Sequence, residues 1–112
     1  MSKDKTSRLH ADWLHEQLQD PEFAAEYLTA ATEDPEPTVY LTALRHVVEA
    51  RGVARIAKTS GVPRESVYRA LSEKGNPRWD TLAAILKAVG MRLVVASSAP
   101  ARRRSGKKVA TA

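Results

Sequence analysis

The sequence predicts an all-α fold, a bundle of about six short helices followed by a small C-terminal β-strand. Three observations lead there. Apolar residues recur at helical spacing in segment after segment, as in Val39, Tyr40, Ala43, Leu44, Val47 and Val48. The segments are punctuated by Asp-Pro starts at Asp20-Pro21 and Asp34-Pro35, and by single glycines at Gly52, Gly61 and Gly90. Only one short run, Met91-Arg92-Leu93-Val94-Val95-Ala96, is rich in strand-forming residues.

The elements follow in order. Residues 1–9 are polar and read as a flexible N-terminus. A first helix is expected over 10–19, with Trp13, Leu14 and Leu18 on one side. Asp20 caps a second over 21–33, with Pro21 in its first position and Phe23, Ala24, Tyr27, Leu28 and Ala31 turned inward. A third runs to Arg51, its start marked by prolines that a first turn or a short linker tolerates. Three more are expected over 53–60, 64–71 and 79–89, the folded domain closing with the strand at 91–96. Residues 97–112 shift to Ala, Ser, Arg and Lys and read as a disordered basic tail.

Composition removes several function classes. The chain has 112 residues and no Cys, which excludes a disulfide scaffold and a cysteine-based zinc site and suits the reducing cytoplasm. No apolar run approaches the roughly 18–20 residues that span a bilayer, so no membrane partner is expected. His10 and His15 are five residues apart and do not share a helix face as a zinc pair would, and His46 has no ligand pattern near it. No nucleophile–base grouping and no phosphate-cradling glycine loop stands out. Neither a cofactor nor enzymatic activity is expected.

Charge is divided along the chain. Residues 1–49 hold 4 Lys/Arg against 10 Asp/Glu, and residues 50–98 hold 9 against 3. Arg102, Arg103, Arg104, Lys107 and Lys108 follow with no acid among them. A basic second half suits a polyanion, because neutralising phosphates releases condensed counterions. The tail is either a mobile arm adding non-specific phosphate contacts or a solubilising terminus.

The segment Val53–Leu71 gives that polyanion an identity. Two helices that cross steeply through a tight turn need a small residue where their backbones approach, and Ala57 is small. Four residues later the turn needs a positive φ, which Gly61 adopts without strain. Ile56, Val62, Val67 and Leu71 fall where apolar side chains must fill the space between the helices. This is the helix-turn-helix pattern, whose second helix enters the major groove of double-stranded DNA. With Val67, Ala70 and Leu71 inward, Arg64, Glu65, Ser66, Tyr68 and Arg69 remain for the outer faces. Arg64 and Arg69 can each grip a guanine through two hydrogen bonds, and Glu65 can accept from a cytosine. Ser66 and Tyr68 suit phosphate or sugar. Ser72, Lys74, Asn76 and Arg78 form a polar loop suited to the DNA backbone. The alternative is a generic helix pair with a solvated basic face.

Pro21-Glu22-Phe23-Ala24-Ala25-Glu26-Tyr27-Leu28, the run from Ala43-Leu44-Arg45 to Ala50-Arg51-Gly52, the turn segment, Gly75-Asn76-Pro77 and Leu86-Lys87-Ala88-Val89-Gly90-Met91-Arg92-Leu93 together resemble the addiction-module antidote proteins, HigA-like antitoxins with an Xre-type helix-turn-helix. The resemblance covers residues 10–96. It implies an antitoxin that neutralises a co-encoded RelE/HigB-type toxin by direct binding and represses its own operon as a dimer on a palindromic operator. Pro63 departs from the family, which often has Ser there, and so does the basic tail.

A lone strand leaves backbone groups unpaired, so the run at 91–96 is expected to pair with its mate in a homodimer or with a partner's sheet edge, or else to fold back as coil. The acidic N-terminal half would complement a basic toxin, with Trp13 and Phe23 as candidate anchors, although Phe23 also suits the core. A stand-alone regulator without a toxin, and an interaction module that no longer binds DNA, remain alternatives.

Overall fold

The computed structural model describes residues 2–98, with side chains from residue 8 onward. The basic stretch 102–108 lies outside the described residues. Six helices occur in order: α1 (Ser2–Gln17), α2 (Pro21–Ala31), α3 (Pro37–Arg51), α4 (Val53–Ser60), α5 (Arg64–Ala70) and α6 (Trp79–Ala88). All six expected helices are present. The first starts eight residues earlier than its apolar pattern announced, because residues 2–8 are all polar and carry no apolar period to read.

Local chemistry sets the boundaries. Asp20 Oδ1 accepts from the Glu22 amide at 3.3 Å, and Pro21 occupies the first turn of α2. The second Asp-Pro works differently. Asp34 Oδ1 accepts from the Glu36 amide at 2.9 Å, closing a turn that starts two residues before the N-cap position, and Pro37 opens α3.

Tertiary packing centres on α3 and α4: α3 packs on α1, α2 and α4, while α4 packs on α5 and α6. Leu18, Ala24, Leu28, Leu44, Val47, Ile56, Val67, Leu71, Ile85 and Val89 form one continuous core, and no polar or charged residue is buried among the described residues. Burying each Leu, Ile or Val contributes about 1.5–3 kcal/mol. Val39, at helical spacing with the core residues, is exposed instead, because it sits at the open first turn of α3. Trp13, a candidate anchor, is 48% exposed, its indole meeting His10 on one side and the edge of Phe23 on the other. Leu41 takes an inward position that the sequence reading had not singled out.

Arg51 ties the two ends of the bundle together. Its Nε donates to the Leu18 carbonyl at 3.2 Å and its Nη1 to the Val89 carbonyl at 3.4 Å. These carbonyls follow the C-termini of α1 and α6, where a cation is favoured. The Gln19 side-chain Nε2 donates to the Ala50 carbonyl alongside.

The expected C-terminal β-strand is not formed: the described residues contain no strand, and 91–98 run as coil. The Gly90 amide donates to the Lys87 carbonyl at 2.9 Å and the Met91 amide to the Leu86 carbonyl at 2.8 Å, turning the chain back. Met91 and Leu93 then pack against the core, while Val94 and Val95 remain 68% and 93% exposed. Strand propensity alone produces no ladder when a single chain offers no second strand to pair with.

Candidate nucleic-acid interface

The turn between α4 and α5 is built from short-range bonds. The Gly61 amide donates to the Ala57 carbonyl at 2.9 Å, and Gly61 sits at φ +78° in the left-handed region, where a Cβ would be strained. Ser60 Oγ accepts from the Val62 amide at 3.1 Å and stabilises the turn from inside. Pro63 precedes α5 in an extended conformation and gives it no side-chain cap. Below the turn, Ile56, Val67 and Leu71 are buried and Val62 packs beside them. The four apolar positions and the glycine inferred from spacing therefore all take their expected places.

That anchoring decides what α5 displays. Arg64, Glu65 and Arg69 are exposed, Tyr68 is 40% exposed and Ser66 is half-buried. Among the described residues neither arginine joins an ion pair, because the one pair present is Arg78 Nε to Asp80 Oδ1 at 3.5 Å, with both side chains largely in solvent. Arg64 and Arg69 are thus free to meet a ligand, whereas Arg78 already has a carboxylate beside it. An exposed pair of this kind stabilises the fold by about 0–1 kcal/mol and is screened by salt, so a phosphate can displace it.

The loop after α5 places Lys74 and Asn76 in solvent, while half-buried Ser72 donates from its Oγ to the Arg69 carbonyl at 2.9 Å. Ser72 therefore closes the end of α5 first and has less to offer a phosphate than its sequence position suggested. The loop itself is held tightly: a Cβ on Gly75 would lie 2.2 Å from the Ala70 carbonyl oxygen. Only glycine lets the loop pass this close to the helix end.

Two exposed cations were missed. Arg55 and Lys58 lie on α4, outside the inward positions Ile56 and Ala57, and add to the positive surface on the helix preceding the turn. The same periodicity that placed Ile56 inward could have identified them. No group of three or more His, Cys, Asp or Glu that could hold a metal occurs among the described residues. No described helix is long and apolar enough to cross a membrane.

Comparison with known proteins agrees with the collinear motifs. A family model described as "Probable addiction module antidote protein" matches residues 9–97. An uncharacterised protein of Haemophilus influenzae is 32% identical over 83 residues, which is 74% of this chain and 86% of that protein. No solved structure matches the chain.

Proposed function

The chain belongs to the addiction module antidote family, and on that premise we propose that it is an antitoxin with two binding activities and no catalytic one. It neutralises a RelE/HigB-type toxin by direct contact in the cytoplasm. It also represses its own operon as a dimer, with α4 and α5 acting as a helix-turn-helix on operator DNA.

One observation carries the DNA half of this reading. Arg64 and Arg69 stand exposed and unpaired on a helix whose other side is fixed by Val67, 0% exposed, and by Leu71 beyond its end, 1% exposed. The fixed side lowers the entropy lost when the two guanidinium groups engage base edges, and each bidentate contact discriminates by about 1–3 kcal/mol. Tyr68, Lys74, Asn76 and Arg78 supply phosphate contacts that set the register. Glu65 is exposed beside Arg64 and disfavours a misplaced phosphate by repulsion.

Dimerisation fits the same reading. Two copies reading successive major grooves need a half-site spacing of about 34 Å, one helical turn of the duplex. The exposed Val94 and Val95 supply an apolar contact at the C-terminal end.

Fluorescence anisotropy with DNA from upstream of the gene tests the proposal. The wild-type chain is expected to bind it specifically at moderate salt. The Arg64→Ala/Arg69→Ala double variant should lose about 100-fold or more of the specific affinity while retaining its helical signal. Unchanged affinity in the double variant would refute α5 as the reading helix. A monomer in sedimentation at micromolar concentration, alone and on DNA, would refute the dimer.

A further inference from the structure

On the side of the molecule built by α1 and α2, a file of aromatic rings continues across three helices. His10 stacks on Trp13 with centroids 6.0 Å apart, Trp13 meets Phe23 edge-on at 6.0 Å, Phe23 stacks on Tyr27 at 6.5 Å, and Tyr27 lies 6.3 Å from His46. The inner end is fixed, since the Tyr27 hydroxyl lies 2.7 Å from His46 Nδ1. The outer end is open: Trp13 is 48% exposed, and Leu9, one turn earlier on α1, is 64% exposed. Beside it runs a cleft of about 640 Å³ lined by His10, Asp12, His15, Tyr27, His46 and Glu49.

The charge around the outer end of this file is predominantly negative, with Arg8 and Arg45 at its margins. From residue 9 to residue 44 the chain has eight carboxylates and neither Lys nor Arg. None of those carboxylates joins an ion pair among the described residues. Asp12 and Glu16 flank Trp13 on α1, and Glu22 and Glu26 flank Phe23 on α2, all four exposed. An exposed indole inside an acidic rim repels nucleic acid and anionic membrane alike. It fits a partner with arginine and apolar side chains, because arginine stacks on an indole face and carboxylates steer a cation to it.

We propose that the α1–α2 face centred on Trp13 is the docking surface for a basic protein, with Trp13 as its anchor. This rests on the antidote reading, and it locates toxin capture on the side of the chain that does not carry α5. Aromatic side chains in this role are hot spots whose truncation costs the interface far more than that of their neighbours. One chain would then hold its basic protein partner on α1–α2 and DNA on α5, through separate residues.

The test uses the full chain and, as probe, the protein product of the gene adjacent to its own, which the proposal requires to be basic. A Trp79→Phe background leaves Trp13 as the one indole, so its emission reports docking directly. Binding to the wild-type surface should change that emission. Trp13→Ala, followed by calorimetry, should weaken binding by about 30-fold or more. Glu16→Lys/Glu26→Lys alters exposed positions without touching the core, so folding survives, and it should slow association about tenfold and flatten its salt dependence. Arg64→Ala/Arg69→Ala should bind the partner as the wild type does.

If the wild-type chain binds the partner and the Trp13 and charge-reversal variants bind equally well, the surface is refuted while the antidote reading stands. If the wild-type chain neither binds the partner nor rescues growth when that protein is expressed, the antidote reading falls and the assignment with it. If deleting residues 99–112 or diluting the free chain shifts the Trp13 emission, the occupant is the chain's own tail or a second copy, which also overturns the proposal.

Discussion

The α1–α2 region and the α4–α5 region share one apolar core yet present opposite surfaces. Around Trp13 the surface is acidic and aromatic. Around Arg64 and Arg69 it is basic and polar, with Arg55 and Lys58 alongside. Leu18 and Leu28 reach the core from the acidic side and Ile56 and Val67 from the basic side, and no charged residue is fully buried among the described residues. The division is therefore a surface property that the fold neither requires nor opposes. Core packing depends on apolar volume and periodicity, which leaves the outward positions of every helix available for partners. A small protein can hold two binding functions apart in this way without building two domains.

The shared core gives the largest expected effect. Leu44 lies in the middle of α3, the helix that contacts both regions, and is 0% exposed. Leu44→Ala should cost about 2–5 kcal/mol of stability in urea titration. Trp13 on α1 and Trp79 on α6, the helix packed against α4 and α5, report the two sides separately when each is the single indole, and both should unfold in one coincident transition. Two separated transitions would break the comparison, because the halves would then be independent units.

A smaller effect should be confined to one side. Gly61→Ala meets no neighbouring atom, so only its left-handed backbone is strained. It should cost about 1–2 kcal/mol and weaken operator binding by moving α5, with the Trp13 face and its partner affinity unaffected. Loss of partner binding in this variant would mean that the two surfaces are coupled through the turn.

The smallest effect is one of pH and belongs to the acidic side. Burial holds the His46 imidazole below the usual histidine range, Arg45 pushes in the same direction, and Glu49 opposes them. The folded chain therefore binds the His46 proton less readily than the unfolded chain does. The unfolded state takes up more protons as pH falls through the ordinary histidine range near about 6.5, so His46 lowers stability there and is silent above it. The neutral ring can accept the Tyr27 hydroxyl, and protonation removes that acceptor. The midpoint of thermal unfolding should fall on acidification from pH 7.5 to 5.5 by less in His46→Gln than in the wild type. Parallel curves would show that His46 does not contribute to that pH response.

Much of this was legible in the residues. Ala57, Gly61 and the four apolar positions around them determined the α4–α5 turn, because steric demands at a close crossing admit few residue types. Asp20-Pro21 determined the start of α2 for the same local reason. The charge division was visible by counting. The site was legible in part: Arg64, Glu65, Tyr68 and Arg69 are displayed as their spacing implied, while Ser72 is taken up by a backbone carbonyl and Arg78 has Asp80 beside it. Such bonds depend on how the chain turns after a helix, which periodicity does not encode.

What the sequence determined by itself is the set of helices, their inward faces and the sign of charge on each region, since these follow from local sterics and from the solubility of individual side chains. Only the tertiary structure decided the rest. It left Trp13 half in solvent, drew the three aromatic helix faces into one file, spent Arg51 on carbonyls at two helix ends, and kept residues 91–96 out of a sheet. Each of these outcomes depends on which element lies across from which, and an interaction between distant segments has no signature in either segment alone.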